Sequence, residues 1–383
     1  MEPVYNFGAG PAKIPESVLK RAQVELLNYG NTGMSVMELS HRSKPFGEIL
    51  ARTKSNLRQL MDIPDNYDIL FMQGGATTQF SAIFYNLLAA KQVAVGEDKD
   101  LVVDYFVTGS WSNKACQEAE RLSQDLSNVR VNRVADAKKL TGKYGQVPSQ
   151  DQWQLSDPEQ TAYVYYCDNE TVHGVEFPNV PEVDPRVPLV ADMSSNFLSR
   201  PVDVKKFGVI YGGAQKNLGP AGVTLVIIRK DLIVDLTKGP LRPLMLDYKT
   251  LADNDSMYNT PPTFAIYMVG LTLEWLLEQG GLKEIQVVNN RKADKLYEAI
   301  DRLSLFKSPV QADSRSKMNV VFNLTTPELE KEFLKGGEER NMVQLKGHRS
   351  VGGVRASIYN AMPEEHINKL IEYMEEFQKQ HST

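Results

Sequence analysis

Short apolar runs alternate with amphipathic stretches from about residue 16 to residue 260. Between some of these runs, apolar residues recur at helical spacing, as in 78–90 and 113–126. Strands that alternate with helices predict a mostly parallel sheet with helices on both faces, in which ligands bind beyond the carboxyl ends of the strands. The predicted strands are 67–72, 101–107, 162–167, 189–191, 209–211 and 223–228.

The pattern changes at Asn259-Thr-Pro-Pro-Thr263, where two prolines interrupt regular structure. Two long helical patterns follow, then strand patterns at 320–322 and 354–358, and the chain ends in an amphipathic helix. We therefore predict an α/β fold with two domains. A large domain spans 16–260, and a smaller α+β domain spans 261–383 together with 1–15.

Composition narrows the functional classes. The chain has 383 residues, 42% of them hydrophobic and 24% charged, as is typical of a soluble globular enzyme. A net charge of −5 does not favour binding to nucleic acid. Cys116 and Cys167 are too few for a disulfide framework or a metal cluster, and they fit a reducing compartment. The beginning of the chain lacks the pattern of a signal peptide, and no apolar run has membrane-spanning length. We expect a cytoplasmic enzyme without a metal.

Lys216 is the first candidate for chemistry. It lies in Tyr211-Gly-Gly-Ala-Gln-Lys-Asn-Leu-Gly-Pro-Ala-Gly222, between two predicted strands. Burial there would lower the pKa of the amine, and a neutral amine can attack a carbonyl to form a Schiff base. Most lysines are solvated surface charges, so Lys216 needs support from other residues.

Asp192 gives the first support, because it ends the apolar run 187–191. A carboxylate there can keep the ring nitrogen of pyridoxal phosphate protonated, which makes the ring an electron sink. The alternative is a helix cap or a structural hydrogen bond. The second support is Phe71-Met-Gln-Gly-Gly-Ala-Thr-Thr-Gln-Phe80, where a strand leads through glycines into a helix. The amides of such a helix start attract phosphate, although the glycines alone indicate only a turn.

Two further segments follow predicted strands. Trp111, in Thr108-Gly-Ser-Trp111, can stack on a flat cofactor or belong to the core. Thr171, in Asn169-Glu-Thr171, can donate to a ring hydroxyl or cap a turn. Each signal alone is modest. Their order is more informative, because phosphate loop, aromatic ring, hydroxyl, carboxylate and lysine each follow a predicted strand.

These motifs are similar to those of a known family. The chain resembles the phosphoserine aminotransferases, in the class V branch of the fold type I pyridoxal phosphate enzymes, from Asn6-Phe-Gly-Ala-Gly-Pro11 to the terminal helix. The most specific stretches are 212–222, 259–264 and 348–360. The resemblance implies the fold type I PLP-transferase fold and a homodimer with composite sites. It also implies amino transfer from L-glutamate to 3-phosphohydroxypyruvate, giving O-phosphoserine, with 4-phosphohydroxythreonine as a further possible substrate.

The resemblance assigns roles residue by residue. It gives catalytic roles to the Schiff-base lysine Lys216, to Asp192 and to Trp111. Pyridoxal 5'-phosphate would contact Trp111, Thr171, Asp192 and Lys216, and its phosphate would contact Ala76, Thr77 and Gln215, with Asn259 and Thr260 from the neighbouring subunit. The residues expected to hold the substrate anions are His41, Arg42, His348, Arg349 and Arg355.

One departure concerns the phosphate loop. Relatives often carry glycine where Ala76 stands, and arginine or cysteine where Thr77 stands. An alanine keeps the backbone role if its φ is negative. The arginines also make sense from their chemistry, since a guanidinium binds carboxylate or phosphate through two parallel hydrogen bonds. Without the resemblance, Arg42 and Arg349 would be interpreted as surface charges.

Three other classes remain as alternatives. A cysteine desulfurase or another class V enzyme shares the fold, but a desulfurase needs a mobile cysteine, and Cys116 and Cys167 fall in a helix and at a strand end. A nicotinamide-dependent reductase would need a GxGxxG fingerprint, which the sequence lacks. A non-catalytic scaffold protein would have no need for Lys216, Asp192 and Arg355.

Overall fold

The computed structural model of the protein describes residues 3–235 and 237–381. Residues 1 and 2, where the sequence predicts no signal peptide, lie outside the described residues. Residues 382 and 383, at the end of the predicted small domain, lie outside them as well. The helices are α1 (Glu16–Glu25), α2 (Lys44–Met61), α3 (Gly75–Val95), α4 (Ser110–Leu122), α5 (Ala137–Thr141), α6 (Tyr248–Asp253), α7 (Thr263–Glu278), α8 (Leu282–Arg302), α9 (Pro327–Glu339) and α10 (Glu364–His381).

Eight of the strands in the described residues coincide with the predicted apolar runs, and the others were not predicted. The strands, in chain order, are β1 (Tyr5–Asn6), β2 (Tyr67–Met72), β3 (Leu101–Val107), β4 (Val129–Asp136), β5 (Thr161–Cys167), β6 (Asn169–Glu170), β7 (Val175–Glu176), β8 (Leu189–Asp192), β9 (Val209–Gly213), β10 (Thr224–Arg229), β11 (Phe306–Lys307), β12 (Asn319–Leu324), β13 (Met342–Val343) and β14 (Val354–Ser357).

Seven strands form the large sheet, in the order β2-β10-β9-β8-β5-β3-β4. The strands from β9 to β4 pair in parallel, and only β10 runs antiparallel to its neighbours β9 and β2. The prediction of a mostly parallel sheet is therefore confirmed. Because parallel strands end at the same edge, the loops after β2, β3, β5, β8 and β9 meet at one side of the molecule.

Helices cover both faces of this sheet. Side chains alternate between the faces along each strand, so Ile69 and Phe71 of β2 pack in one core with α2 and α7. Leu70 and Met72 point the other way, into a second core with α3 and α4. Burial on both faces explains why the strands read as continuous apolar runs.

A smaller α+β unit forms a third core. The strand β12 pairs antiparallel with β11 and β14, and helices α8, α9 and α10 contribute buried side chains. The N-terminal strand β1 pairs in parallel with β13, and Phe7 lies in this core. The segment from Tyr5 to Phe7 therefore packs with the smaller unit.

The helices α7 and α8 connect the two units. Ile266 and Leu273 of α7 belong to the core shared with α2, and so does Ile285 of α8, whereas Ala293 of α8 lies in the third core. The buried contacts therefore change from one core to the other within α8. A domain boundary after residue 260 stays a prediction.

Two helix starts differ from the prediction. The helix expected from residue 78 begins at Gly75, and the one expected from residue 113 begins at Ser110, so Trp111 lies in a first helical turn. The cause at α4 is distant in sequence: the carboxylate of Glu170 accepts hydrogen bonds from the amides of Trp111 and Ser112 at 2.9 and 2.8 Å. The residues around the start of α4 do not reveal a capping residue that lies so far away in the sequence, so the helix start was not predicted from them.

Within the part of the chain that the structure describes, no helix is both long and apolar enough to cross a membrane.

Candidate active site

A cavity of about 340 Å³ lies at the edge of the large sheet where the parallel strands end. Its walls come from the segments after β2, β3, β5, β8 and β9, together with the loop before β14. The predicted site residues that line it are Ala76, Thr77, Trp111, Thr171, Asp192, Gln215, Lys216, His348 and Arg355.

Lys216 extends into this cavity from the loop after β9. Its Nζ donates a hydrogen bond to Oγ1 of Thr171 at 2.7 Å. Burial lowers the pKa of the amine, the nearby carboxylate of Asp192 opposes that shift, and the guanidinium of Arg355 adds to it. A lysine with a lowered pKa has a larger neutral, nucleophilic fraction at neutral pH.

Asp192 ends β8 and is almost fully buried, with 3% of its surface exposed. Its Oδ1 accepts from the amide of Ser194 at 2.9 Å, and its Oδ2 accepts from the hydroxyl of Tyr211 at 3.0 Å. These hydrogen bonds fix the orientation of the carboxyl group. Each oxygen keeps a second lone pair for a further donor.

The start of α3 lies at another part of the wall. Gly74 has φ 91°, and a Cβ there would lie 2.0 Å from Oγ1 of Thr78, so this turn requires glycine. No side chain caps the helix, which leaves the amides of its first turn free for an anion. Ala76 lies inside the helix and has no positive φ, which meets the condition set for an alanine here.

The hydroxyl of Thr78, the residue after Thr77, donates to the carbonyl of Gly74 at 3.0 Å. This hydroxyl proton is therefore engaged within the first turn of α3 and is not available to a ligand. Thr77 remains as the hydroxyl at the cavity wall.

Trp111 forms a flat wall of the cavity. The centre of its indole lies 5.6 Å from Nζ of Lys216. Glu170 fixes the position of this ring, because its carboxylate accepts a hydrogen bond from the backbone amide of Trp111. Gly109 beside it lies so close to Glu170 that a Cβ would be 2.3 Å from the carboxyl carbon.

Arg355 and His348 line the side nearest the smaller unit. Nη1 of Arg355 donates to the carbonyl oxygen of Thr171 at 3.3 Å, and burial lowers the pKa of the guanidinium. The pKa of His348 is lowered by burial and by the positive charges of Arg355 and Arg349. An anion placed among these groups would relieve their mutual repulsion.

Five of the predicted residues do not line the cavity. Arg42, Arg349, Asn259 and Thr260 are exposed, and His41 is partly exposed. Asn259 lines a neighbouring cavity on the other side of Gly74, and the amide of Gln73 donates to the carbonyl of Thr260 at 3.3 Å. Within one chain, these five residues therefore stay outside the cavity.

Sequence reasoning missed several wall residues: Ala9, Gly10, Asn169, Ser194 and Ser195. The N-terminal segment crosses the cavity, and a Cβ on Gly10 would lie 3.2 Å from Cγ of Lys216. The local signal at Ala9 and Gly10 was the glycine-rich segment Gly8-Ala-Gly-Pro11, and Asn169 stands in the same motif as Thr171.

The wall residues fit pyridoxal phosphate. A nucleophilic amine, a buried carboxylate, an uncapped helix start and a flat indole surround one cavity. These are the groups that an aldehyde, a ring nitrogen, a phosphate and a planar ring require. Gly10 keeps the space over Lys216 open, since any side chain there would reach the lysine.

Neither cysteine has the properties of a catalytic thiol. Burial raises the pKa of Cys116 to about 12 and that of Cys167 well above its ordinary value. Both lie in regular elements, α4 and β5, and both are buried. Protonated, immobile thiols are poor nucleophiles, which argues against a desulfurase.

Sequence comparison places the chain in a family. The profile described as Aminotransferase class-V matches residues 4–370. The chain therefore belongs to the class-V aminotransferases, whose cofactor is pyridoxal phosphate.

Within that class, the similarity extends over the whole chain. It is 53% identical to phosphoserine aminotransferase 1, chloroplastic, of Arabidopsis thaliana, over 100% of this chain and 84% of that protein. It is 50% identical to the phosphoserine aminotransferase of Laribacter hongkongensis, over 99% of both. The solved PLP-bound phosphoserine aminotransferase of Trichomonas vaginalis is 42% identical, with a TM-score of 0.89, over 97% of this chain and 100% of that one. The chain belongs with the phosphoserine aminotransferases.

Proposed function

We propose that this chain transfers the amino group of L-glutamate to 3-phosphohydroxypyruvate, reversibly, giving O-phospho-L-serine and 2-oxoglutarate. The observation that carries the proposal is the cavity itself, where Lys216 and Asp192 lie together with the cationic pair Arg355 and His348. The first pair suits amino transfer, and the second suits a substrate with anionic groups. Relatives that are half identical over the whole chain carry this activity in their names.

Lys216 is the proposed general base. Its lowered pKa makes the neutral amine available to accept the proton from Cα of the amino acid. The same amine would return the proton at the former aldehyde carbon of the cofactor. The hydroxyl of Thr171 accepts a hydrogen bond from Nζ and so holds the amine inside the cavity. Bound pyridoxal phosphate supplies the electron sink for the charge left on Cα.

Asp192 and Trp111 are proposed to hold the cofactor ring. The Asp192 carboxylate, fixed by two hydrogen bonds, attracts a protonated ring nitrogen. The indole of Trp111 offers a flat apolar face for the ring. The phosphate is proposed to bind at the start of α3, beside Ala76, Thr77 and Gln215.

The substrate anions are proposed to bind Arg355 and His348, with His41, Arg42 and Arg349. Both substrates carry carboxylates, and only one carries a phosphate. Arg349, which is exposed, is proposed for the phosphate, since a guanidinium binds phosphate through two parallel hydrogen bonds. The order of reaction is proposed to be ping-pong, since both substrates use the same lysine.

We infer that the active form is a homodimer with shared sites. The support is the exposure of large apolar side chains near the residues that stay outside the cavity. Met37 is 58% exposed and precedes Arg42 closely in sequence, and Tyr258 is 46% exposed and adjoins Asn259. A contiguous patch of exposed apolar side chains marks a surface for another protein, and these two side chains lie in the segments that would have to reach the partner's cavity. A second copy of the chain would bring Arg42, Asn259 and Thr260 to the cavity of its partner.

A cytoplasmic location is likewise proposed. The two cysteines of the chain are free and buried, which suits a reducing compartment. Fluorescence microscopy of the tagged chain in its own cells tests this location.

The activity is tested by a transamination assay with glutamate as donor. We expect 3-phosphohydroxypyruvate to be converted at least about a hundredfold more efficiently, in kcat/KM, than unphosphorylated hydroxypyruvate, since charge-assisted hydrogen bonds to the phosphate would be lost. Adding 4-phosphohydroxythreonine in the reverse direction tests the wider substrate range. Equal efficiency with and without the phosphate would contradict the proposal.

A further inference from the structure

Tyr211 and Asp192 lie side by side on neighbouring strands. They are paired residues in the parallel register of β9 and β8, so their side chains point to the same face of the sheet. Tyr165 on β5 pairs with Val190, two residues before Asp192, and so points to this face as well. Strand register thus aligns two tyrosines with the carboxylate at the floor of the cavity.

The two tyrosine hydroxyls form a chain that ends on Asp192. The hydroxyl of Tyr211 donates to Oδ2 of Asp192 at 3.0 Å, and the hydroxyls of Tyr165 and Tyr211 lie 2.7 Å apart. Each hydroxyl has one proton. Because the hydroxyl of Tyr211 donates its proton to Asp192, the hydroxyl of Tyr165 donates to the oxygen of Tyr211. Both donors are therefore directed toward the carboxylate.

Neither tyrosine reaches the reacting atoms. Their side chains are buried in the core between the sheet and the helices α3 and α4, with 0% exposed for Tyr211 and 1% for Tyr165. Burial raises the pKa of both phenols well above the ordinary value, and the charge of Asp192 adds to this, so both stay protonated donors. The hydroxyl of Tyr211 contacts Asp192, and that of Tyr165 contacts Tyr211.

We propose that Tyr211, itself oriented by Tyr165, is a positioning residue for the reaction: its hydroxyl holds the Asp192 carboxylate in the orientation that meets the ring nitrogen of the bound cofactor. A carboxylate that is fixed by a hydrogen bond presents its charge to a pyridinium in one direction, whereas a carboxylate that can rotate does not. A donor that polarises a second donor strengthens the hydrogen bond beyond its isolated value.

The same sheet face contains a matched pair that does not touch Asp192. Tyr105 and Tyr163 are equally buried, and their hydroxyls bond to each other. Tyr105→Phe therefore removes one buried hydroxyl from the same core without changing the donors to Asp192. It separates a general loss of packing and hydrogen bonding from an effect carried through the carboxylate.

The test measures the Kd of pyridoxal 5'-phosphate for the apo-protein, without amino acid, and kcat and KM with glutamate separately. We expect Tyr211→Phe to weaken cofactor binding about tenfold and to lower kcat with little change in KM, because one hydrogen bond to a charged group is lost. Tyr165→Phe should act in the same direction by about threefold. Tyr105→Phe should leave the Kd unchanged.

A double-mutant cycle decides whether the effect passes through the carboxylate. In an Asp192→Asn background no charge remains to be held, so adding Tyr211→Phe should change the Kd by less than about twofold. Thermal unfolding of each apo-variant compares the folds: Tyr211→Phe and Tyr105→Phe should lose similar stability.

The inference rests on the proposed role of Asp192, and the outcomes separate the two. If Asp192→Asn binds the cofactor as tightly as the parent, the role of Asp192 fails and the inference fails with it. If Asp192→Asn weakens binding but Tyr211→Phe behaves like Tyr105→Phe, only the role of Tyr211 is overturned. An undiminished effect of Tyr211→Phe in the Asp192→Asn background overturns it too, since the tyrosine would then act on the fold.

Discussion

The amine of Lys216 donates a hydrogen bond to the hydroxyl of Thr171 at 2.7 Å, from the loop after β9 to the segment after β6. The contact joins residues 45 positions apart in the chain. It directs the amine into the cavity toward the space that the cofactor aldehyde would occupy. The reactivity of Lys216 therefore depends on two strands keeping their relative position.

Replacing Lys216 with alanine should abolish covalent attachment of the cofactor and lower kcat by at least about a thousandfold, because the proposed base is lost. Mass spectrometry after borohydride reduction checks the attachment, and a coupled assay checks the rate. Lys114→Ala is the matched control, since Nζ of Lys114 lies 4.6 Å from the Trp111 ring centre yet carries no proposed chemistry. Retained turnover in Lys216→Ala would contradict the assignment.

Arg349 and Arg355 should differ in what they recognise. Arg349→Leu should raise the KM for 3-phosphohydroxypyruvate by about ten- to a hundredfold and change that for glutamate little, because only the former carries a phosphate. Arg355→Leu should weaken both substrates, since both carry a carboxylate. Steady-state kinetics of each half-reaction gives these constants. Equal losses for both substrates in Arg349→Leu would exclude a phosphate role.

The shared-site proposal predicts subunit complementation. Lys216→Ala and Arg42→Leu should each be nearly inactive, but a mixed dimer would contain one site with both residues intact. Random reassociation should therefore restore about a quarter of the parent activity, since half of the dimers are mixed and each has one complete site. Activity after denaturation and refolding of a 1:1 mixture measures this. If Arg42 served its own chain, no activity would return.

His173 should make the fold less stable in acid. Burial lowers its pKa to about 4, while the unfolded chain has an ordinary value of 6.5. The unfolded state therefore binds the proton first, so this stability is complete above pH 6.5 and is lost as the pH falls toward 4, by up to about 3 kcal/mol. In His173→Gln that part of the pH dependence should be absent. Urea unfolding of both proteins at several pH values measures the difference, and parallel curves would refute it.

Gly10→Ala should impair the function of Lys216, although the two residues are far apart in the sequence. Gly10 has φ 140°, and its new methyl would lie 3.2 Å from Cγ of Lys216. We expect a lower kcat in addition to the backbone strain of about 1–2 kcal/mol. Gly33→Ala is the control, because its φ is also positive but nothing lies within 4 Å. Equal kcat in both variants would show that the contact with Lys216 is unimportant.

Much of the architecture was predictable from local pattern. The continuous apolar runs identified the strands of the large sheet nearly to their ends, except β4, because strands buried on both faces have apolar residues at every position. The order of the motifs then placed Asp192 and Lys216 at one edge, since parallel strands end on the same side. The helix starts were less accurate: α4 begins at Ser110 because Glu170 caps it from another strand.

The sequence by itself determined which chemical groups the site contains: the amine of Lys216, the carboxylate of Asp192, the indole of Trp111 and the guanidinium of Arg355. Local composition and the order along the chain were sufficient for that. The tertiary structure decided how those groups are held, through Thr171 on the lysine, Glu170 on the helix of Trp111, Gly10 over the lysine and Tyr211 on the carboxylate. Such contacts join residues far apart in the chain, so they arise only when strand register and helix packing bring their side chains together.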